Sequence, residues 1–326
     1  MTLVATPLAA RTRAAKPLTG KALAAATPAR RSWPQHCRIL LVAAIRLAAD
    51  QFPHPGDDGA QRVHNVRKTL KQAAGLARLF IPPVGPSAAD AVKTINATRR
   101  RVGRARDLDV LPGVLARLEG ANEARDILLR LIAEQREAER LAHSEADVAD
   151  VSAQLRALAR SVEAWSAEEA GAAALLGAVR RSYRTARRLG ERALASRDAK
   201  AMHDLRARVV DLAYQLGAFE AAWPDMVQAT CRELQRLRRT LGDHNDLTVL
   251  ADFARGRPEL PAGAAEALEA SIARRRRPLE RRAKAQFARL FSERARAFEQ
   301  RIAGYLEYPQ HRPGRAAKRD VRDSAP

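Results

Sequence analysis

Cysteine is nearly absent: Cys37 and Cys231 are the only two in 326 residues. Thiols so far apart, outside any CxxC or Cys/His cluster, supply neither a disulfide framework nor a zinc site, and they point to a reducing compartment, the cytoplasm. Aromatic residues make up 4% of the chain, and Trp33, Trp165, Trp223 and the tyrosines are not gathered on its basic segments. That argues against a protein that stacks nucleic-acid bases. No apolar run approaches the about 20 residues of a membrane span. Alternating polar and apolar patterns never persist, so sheets are not expected. HxxxH, HExxH and DxDxDG patterns are missing, as is a glycine-rich phosphate loop, and no metal or cofactor is expected. Acid is scarce relative to base: 37 Asp and Glu against 58 Lys and Arg leave a formal net charge of +21. Self-repulsion of that size opposes compaction and calls for an anionic partner, the alternative being merely solvated basic faces.

What the chain has in quantity is Ala, Leu and Arg, which lose little side-chain freedom in a helix. Residues 1–31 contain no acid and lack a secretory signal's apolar core; they are read as a disordered basic tail, as are the Pro- and Arg-rich residues 309–326. Between them, capping and breaking residues predict helices at about 33–52, 60–80, 87–109, 112–143, 147–164, 167–197, 199–221, 225–254 and 262–306. Pro53, Pro55 and Gly56 break the first pair, Pro82, Pro83, Gly85 and Pro86 end the second helix, and Ser87 is placed to cap the third. Short connections favour antiparallel bundles.

The chain is internally duplicated. A single offset of 139 residues places Val63–Leu111 on Met202–Leu250 without a gap. His64 falls on His203, Arg67 on Arg206, Phe80 on Phe219, and Arg99-Arg100 on Arg238-Arg239. Gly103 falls on Gly242, Asp107 on Asp246, Leu108 on Leu247, and Val110-Leu111 on Val249-Leu250. Matched His, Gly and Asp at one offset are not a by-product of Ala/Arg/Leu-rich composition.

The repeated helix is amphipathic in an unusual way. At roughly 100° per residue, Val63, Val66, Leu70, Ala73, Ala77 and Phe80 share one arc, and His64, Arg67, Lys68, Lys71 and Arg78 share the opposite one. An ordinary polar face mixes acids with bases at one-turn spacing; this one has no acid. A row of phosphates suits it, because guanidinium forks take phosphate oxygens bidentately and lysine adds a point charge. The second copy keeps the apolar arc of Met202, Leu205, Val209, Leu212, Leu216 and Phe219. Its polar face keeps His203 and Arg206, but then shows Val210, Tyr214 and Gly217, while Arg208 lies off it. Binding is therefore expected to be weighted toward the first copy. Further cations stand in rows at Arg181, Arg184, Arg188 and at Arg232, Arg236, Arg239, with Arg100 and Arg106 beside the first copy. A denser run, Arg274–Arg277 with Arg281 and Arg282, reads as a solvated patch.

Asp107, Asp109 and Asp246 are read as structural partners that orient arginines. His64 and His203 open polar faces, which makes them ligand-facing or bracing groups. Neither travels with a nucleophile or a second carboxylate, so no catalysis is expected.

These boxes resemble the CHAD family, the conserved histidine α-helical domain. The resemblance is carried by His64-x-x-Arg67-x-x-x-Lys71 and Gly103-x-x-Arg106-Asp107-x-Asp109-Val110-Leu111. It is repeated in His203-x-x-Arg206 and Gly242-x-x-Asn245-Asp246-Leu247, with Tyr183–Arg188 before the second box. It spans about residues 32–308, divided near 165/166. The resemblance implies an all-α fold of two pseudo-symmetric antiparallel four-helix bundles around a basic central channel or groove. It also implies binding of inorganic polyphosphate, often at polyphosphate granules, with His64, Arg67, Lys71, His203 and Arg206 on the channel. Val210 and Asn245 depart from the family pattern. No ExExK strand motif of a CYTH domain occurs, so a stand-alone member is expected. Nucleic acid is the secondary polyanion; base-reading Asn/Gln stripes are absent.

Overall fold

A computed structural model describes residues 32–51, 59–102, 106–141, 146–166 and 171–307, with side chains for all but 59–63, 106–107, 139–141 and 146–149. The two tails and the Pro53–Gly56 break read from the sequence lie outside the described residues. Among the described residues every regular element is helical and there is no strand.

The longer helices are α1 (Trp33–Asp50), α2 (Gly59–Ala77), α3 (Pro86–Arg101), α4 (Asn122–Leu141) and α5 (Ala146–Glu163), then α6 (Gly171–Ser196), α7 (Ala199–Gly217), α8 (Pro224–Ala254), α9 (Ala262–Leu290) and α10 (Ala295–Glu307). Their starts follow from local chemistry. Ser32 Oγ accepts the Gln35 N–H at 3.4 Å while Gln35 Oε1 accepts the Ser32 N–H at 3.1 Å, a reciprocal cap on α1. Asp198 accepts the Ala201 N–H at 2.8 Å and caps α7. Pro224 opens α8 in its first turn, where no N–H is needed.

Three expectations are corrected. Ser87 is not a cap: α3 begins one residue earlier at Pro86, behind Gly85, whose φ of 75° suits a residue without Cβ. The helix expected at 112–143 is a one-turn piece, Leu111–Leu115, followed by α4, with Gly120 in the link at φ 75°. The link's carbonyls find partners elsewhere: Glu119 O accepts from Ser271 Oγ at 2.8 Å and from Arg274 Nη2 at 3.1 Å. The helix expected at 262–306 stops at Leu290 and restarts at Ala295. There the Tyr183 hydroxyl lies 3.1 Å from Leu290 O and 3.2 Å from Glu293 O, and Arg187 Nη1 donates to Glu293 O at 3.0 Å. A helix end leaves carbonyls without intrahelical donors; α6 supplies donors here.

Two apolar clusters hold the helices together. The larger is built from α1, α2, α3, α5, α6, α7 and α10, with Leu234, Leu237 and Leu241 of α8 and Ala283 and Phe287 of α9. The smaller joins Leu108–Leu118 and α4 to Leu247 and Leu250 of α8 and Leu268, Ile272 and Leu279 of α9. Both clusters draw on both copies of the repeat, and α8 and α9 each run through the two. The apolar arcs read from the sequence are inside: Val66, Leu70, Ala73, Ala77 and Phe80, and all six of Met202, Leu205, Val209, Leu212, Leu216 and Phe219, are buried. No helix among the described residues is long and apolar enough to cross a membrane.

Candidate functional site

The two repeated helices, α2 and α7, pack directly on each other. Gly75 makes the approach close: a Cβ there would lie 3.1 Å from Tyr214 Cβ and 3.4 Å from Asp211 O. The fully buried Gln215 donates its Nε2–H to Gly75 O at 3.2 Å. Tyr214 is thus a packing residue of this seam, and burial pushes its hydroxyl up, with Arg238 pulling the other way. Val210, 6% exposed, is also packed away, so the eroded second face is covered at the position where Lys71 stands in the first copy.

Around the seam stands a set of guanidinium groups from both copies. Asp211 on α7, 8% exposed, pairs through Oδ1 with Arg78 Nη1 at 3.2 Å and through Oδ2 with Arg208 Nη1 at 3.0 Å. Arg78 also donates to Ala74 O at 3.0 Å. Burial pushes the Asp211 carboxyl up, and Arg78, Arg208 and Arg99 draw it back down. Burial likewise lowers Arg78. Arg99 is lowered by burial first and then by its neighbour Arg67, with Asp211 opposing and Arg78 and Arg100 adding to the repulsion. Arg67, Arg78, Arg99 and Arg100 of the first copy therefore share one electrostatic neighbourhood with Arg208 and Asp211 of the second.

The basic face of α2 is not an ordinary surface. His64, Arg67, Lys68, Lys71 and Arg78 are all half-buried, although long cationic side chains usually stand in water. In the second copy, His203 is exposed and its Nδ1 lies 2.7 Å from Asn245 Oδ1. Arg206 is half-buried and lies across Gly242, where a Cβ would be 3.5 Å from its Nε.

The other cations named from the sequence are placed differently. Arg181, Arg184 and Arg188 are exposed on α6, and Arg232, Arg236 and Arg239 are exposed on α8, where Arg236 pairs with Glu233 at 2.7 Å. Arg100 is exposed as well. The side chains of Arg106 and Asp107 lie outside the described residues. Asp109 pairs with Arg136 of α4 at 2.8 Å, and Asp246 is half-buried on α8.

Sequence reasoning missed Arg99, Arg208 and Arg238. Arg208, read as off the binding face, stands at the seam through Asp211. Arg99 and Arg238 are half-buried, whereas their aligned neighbours Arg100 and Arg239 are exposed. The signal was available in the helical phase: Arg99 follows buried Ile95 by one turn, as Arg238 follows buried Leu234. Among the described residues no group of three or more His, Cys, Asp or Glu side chains is arranged to hold a metal ion.

Comparison with known proteins adds three findings. The family model described as "CHAD domain" matches residues 43–255. The fold is similar to the crystal structure of the CHAD domain from the plant Ricinus communis, with a TM-score of 0.51 over 81% of this chain and 91% of that one, at 21% sequence identity. No curated protein matches the sequence significantly.

Proposed function

The chain belongs to the CHAD family, and from that premise we propose that it binds inorganic polyphosphate, without catalysis, along the α2–α7 seam. The observation that carries this reading is the electrostatic neighbourhood that Arg67, Arg78 and Arg99 of the first copy share with Arg208 and Asp211 of the second. Half-buried like charges gathered from two copies of a repeat cost stability unless an anion neutralises them. Guanidinium forks suit tetrahedral phosphate oxygens, and a flexible chain of phosphates can meet many of them at once. On this reading the two copies, residues 32–165 and 166–308, form pseudo-symmetric bundles about an axis near the seam. Gly75 and Tyr214, which touch there, stand at the same place in the repeat, 139 residues apart. The protein acts in the cytoplasm and associates with polyphosphate granules.

The test is a competition. Long-chain polyphosphate, duplex DNA and single-stranded RNA are titrated at matched phosphate concentration and at two salt concentrations. All three release counterions, so the salt slope alone does not separate them. Polyphosphate is expected to bind at least about ten-fold more tightly at both salts, a difference of roughly 1.4 kcal/mol. Equal affinities, or a preference for either nucleic acid, would overturn the reading.

A further inference from the structure

We infer that the corner formed by the turn between α7 and α8 and by the end of α10 is the docking surface of this chain's own C-terminal segment. Residues 308–315 lie over Trp223 and Met226 with Arg312 against Asp225, and a polyanion lifts the segment off by competing for its arginines. The inference goes beyond the preceding reading and does not rest on the seam.

Ring contacts fix the corner. Trp223, at the start of α8, meets Tyr305 of α10 edge-on with ring centroids 5.1 Å apart. Tyr305 stands two residues before Glu307, where α10 ends. Trp223 and Met226 are the most exposed large hydrophobic side chains among the described residues, at 44% and 41%, and they lie within one turn of each other. Single exposed apolar residues are ordinary, but an adjoining pair rimmed by charge marks a contact surface. The rim is acidic in a basic protein. Residues 218–231 and 302–307 contain no Lys or Arg, although 58 of the 326 residues are of those types, and they carry Glu220, Asp225 and Glu307. Asp225 and Glu307 are exposed and take no ion pair among the described residues. Glu220 accepts from Gln228 Nε2 at 2.8 Å.

The segment that follows α10 has the complementary chemistry. It reads Tyr308-Pro309-Gln310-His311-Arg312-Pro313-Gly314-Arg315, with no acid before Asp320. Tyr308 and Pro309 offer apolar surface to Trp223 and Met226, and Arg312 and Arg315 offer guanidinium forks to the carboxylates. Covalent length permits it: Arg312 is five residues past Glu307, a reach of up to about 17 Å, from an attachment already beside Trp223. The N-terminal segment joins the fold at the same turn, where Trp33 packs on Phe219 at 5.5 Å. Its last residues before Ser32 are Ala29, Arg30 and Arg31, which bring charge but nothing large and apolar to cover the exposed pair. Ion pairs of this kind lie in water and are weak singly. A polyanion offers many charges on one chain, so it outcompetes three carboxylates for the same arginines.

The experiment labels the full chain with 5-fluorotryptophan and assigns the Trp223 resonance by its loss in Trp223→Phe. Arg312→Glu combined with Arg315→Glu is expected to shift that resonance. Its water-dependent isotope shift should rise about two-fold, toward the 44% exposure of the uncovered ring. Arg30→Glu combined with Arg31→Glu makes the same charge change in the N-terminal segment and is expected to leave the Trp223 resonance in place. Long-chain polyphosphate is expected to move the wild-type resonance to the position seen in Arg312→Glu/Arg315→Glu, and to move that variant's resonance no further. All four arginines lie outside the described helices, so each variant is expected to melt as the wild type does. The same Trp223 resonance in wild type and Arg312→Glu/Arg315→Glu, or an equal shift from the N-terminal pair, overturns the docking. A wild-type resonance that polyphosphate leaves unmoved overturns the release.

Discussion

His244 is 3% exposed where α8 meets α9, with Nε2 3.7 Å from Glu280 Oε1. Burial, reinforced by Arg276, lowers its pKa below the ordinary 6.5, and the Glu280 carboxylate opposes that only in part. The folded protein therefore keeps this ring neutral at a pH where the unfolded chain takes up a proton. Stability from His244 is present above pH 6.5 and is lost as pH falls from there through the folded value. The unfolding free energy from urea titrations is expected to drop between pH 7.5 and 5.5 by a slope of at most about 1.4 kcal/mol per pH unit, and His244→Gln is expected to flatten it. An unchanged slope in the variant would place the acid sensitivity elsewhere. At this scale the sequence was informative about residue type and less so about residue rank. His64, Arg67 and Lys71 were legible from an acid-free helix face, and all three are half-buried. Arg100 and Arg239 were preferred to Arg99 and Arg238, because a run of arginines hides which one abuts the core. The role of Asp211 was not legible at all. Its partner Arg78 lies 133 residues away, and only the packing of α2 on α7 brings them together.

Helix existence was written plainly in the Ala/Leu/Arg periodicity, and the starts at Ser32, Asp198 and Pro224 follow from capping chemistry. The interruptions were not, because what permits them is remote in sequence. The carbonyls freed between α9 and α10 are met by Tyr183 and Arg187 of α6, more than 100 residues earlier. Tyr183 is 1% exposed and stacks on Phe298 at 4.1 Å, so its ring holds α10 and its hydroxyl holds the break before it. Tyr183→Phe keeps the ring and removes the donor. The expected cost is about 1–2 kcal/mol, as for a part-buried carbonyl, Leu290 O, that loses its donor while Glu293 O keeps Arg187. Hydrogen exchange should show the amides of α10 opening more readily than those of α7. Equal protection in wild type and variant would mean that the break is held by packing alone.

At the scale of the molecule, a chain with a formal charge of +21 sorts its cations into two kinds. Arg181, Arg184 and Arg188 of α6 and Arg232, Arg236 and Arg239 of α8 stand in water, as does Arg281-Arg282 of α9, and they give diffuse attraction to any polyanion. Those at the α2–α7 seam are half-buried, drawn from both copies, and close enough to perturb one another. The duplication brings two copies of one helix together, the first presenting its basic face and the second bringing Arg208 and Asp211 to the same seam. Family membership and the helical fold were legible from the paired boxes, whereas the shared cores were not, since α8 and α9 each serve both clusters.

The most direct measurement removes two charges from each kind of surface and compares the results. Polyphosphate affinity is measured for Arg67→Ala/Arg99→Ala and for Arg281→Ala/Arg282→Ala, each checked for an intact melting transition. The seam pair is expected to lose on the order of 10²-fold, as for two charge-assisted contacts, and the exposed pair less than about three-fold. Equal losses from the two pairs would contradict a seam site and leave only unspecific attraction between a basic surface and a polyanion.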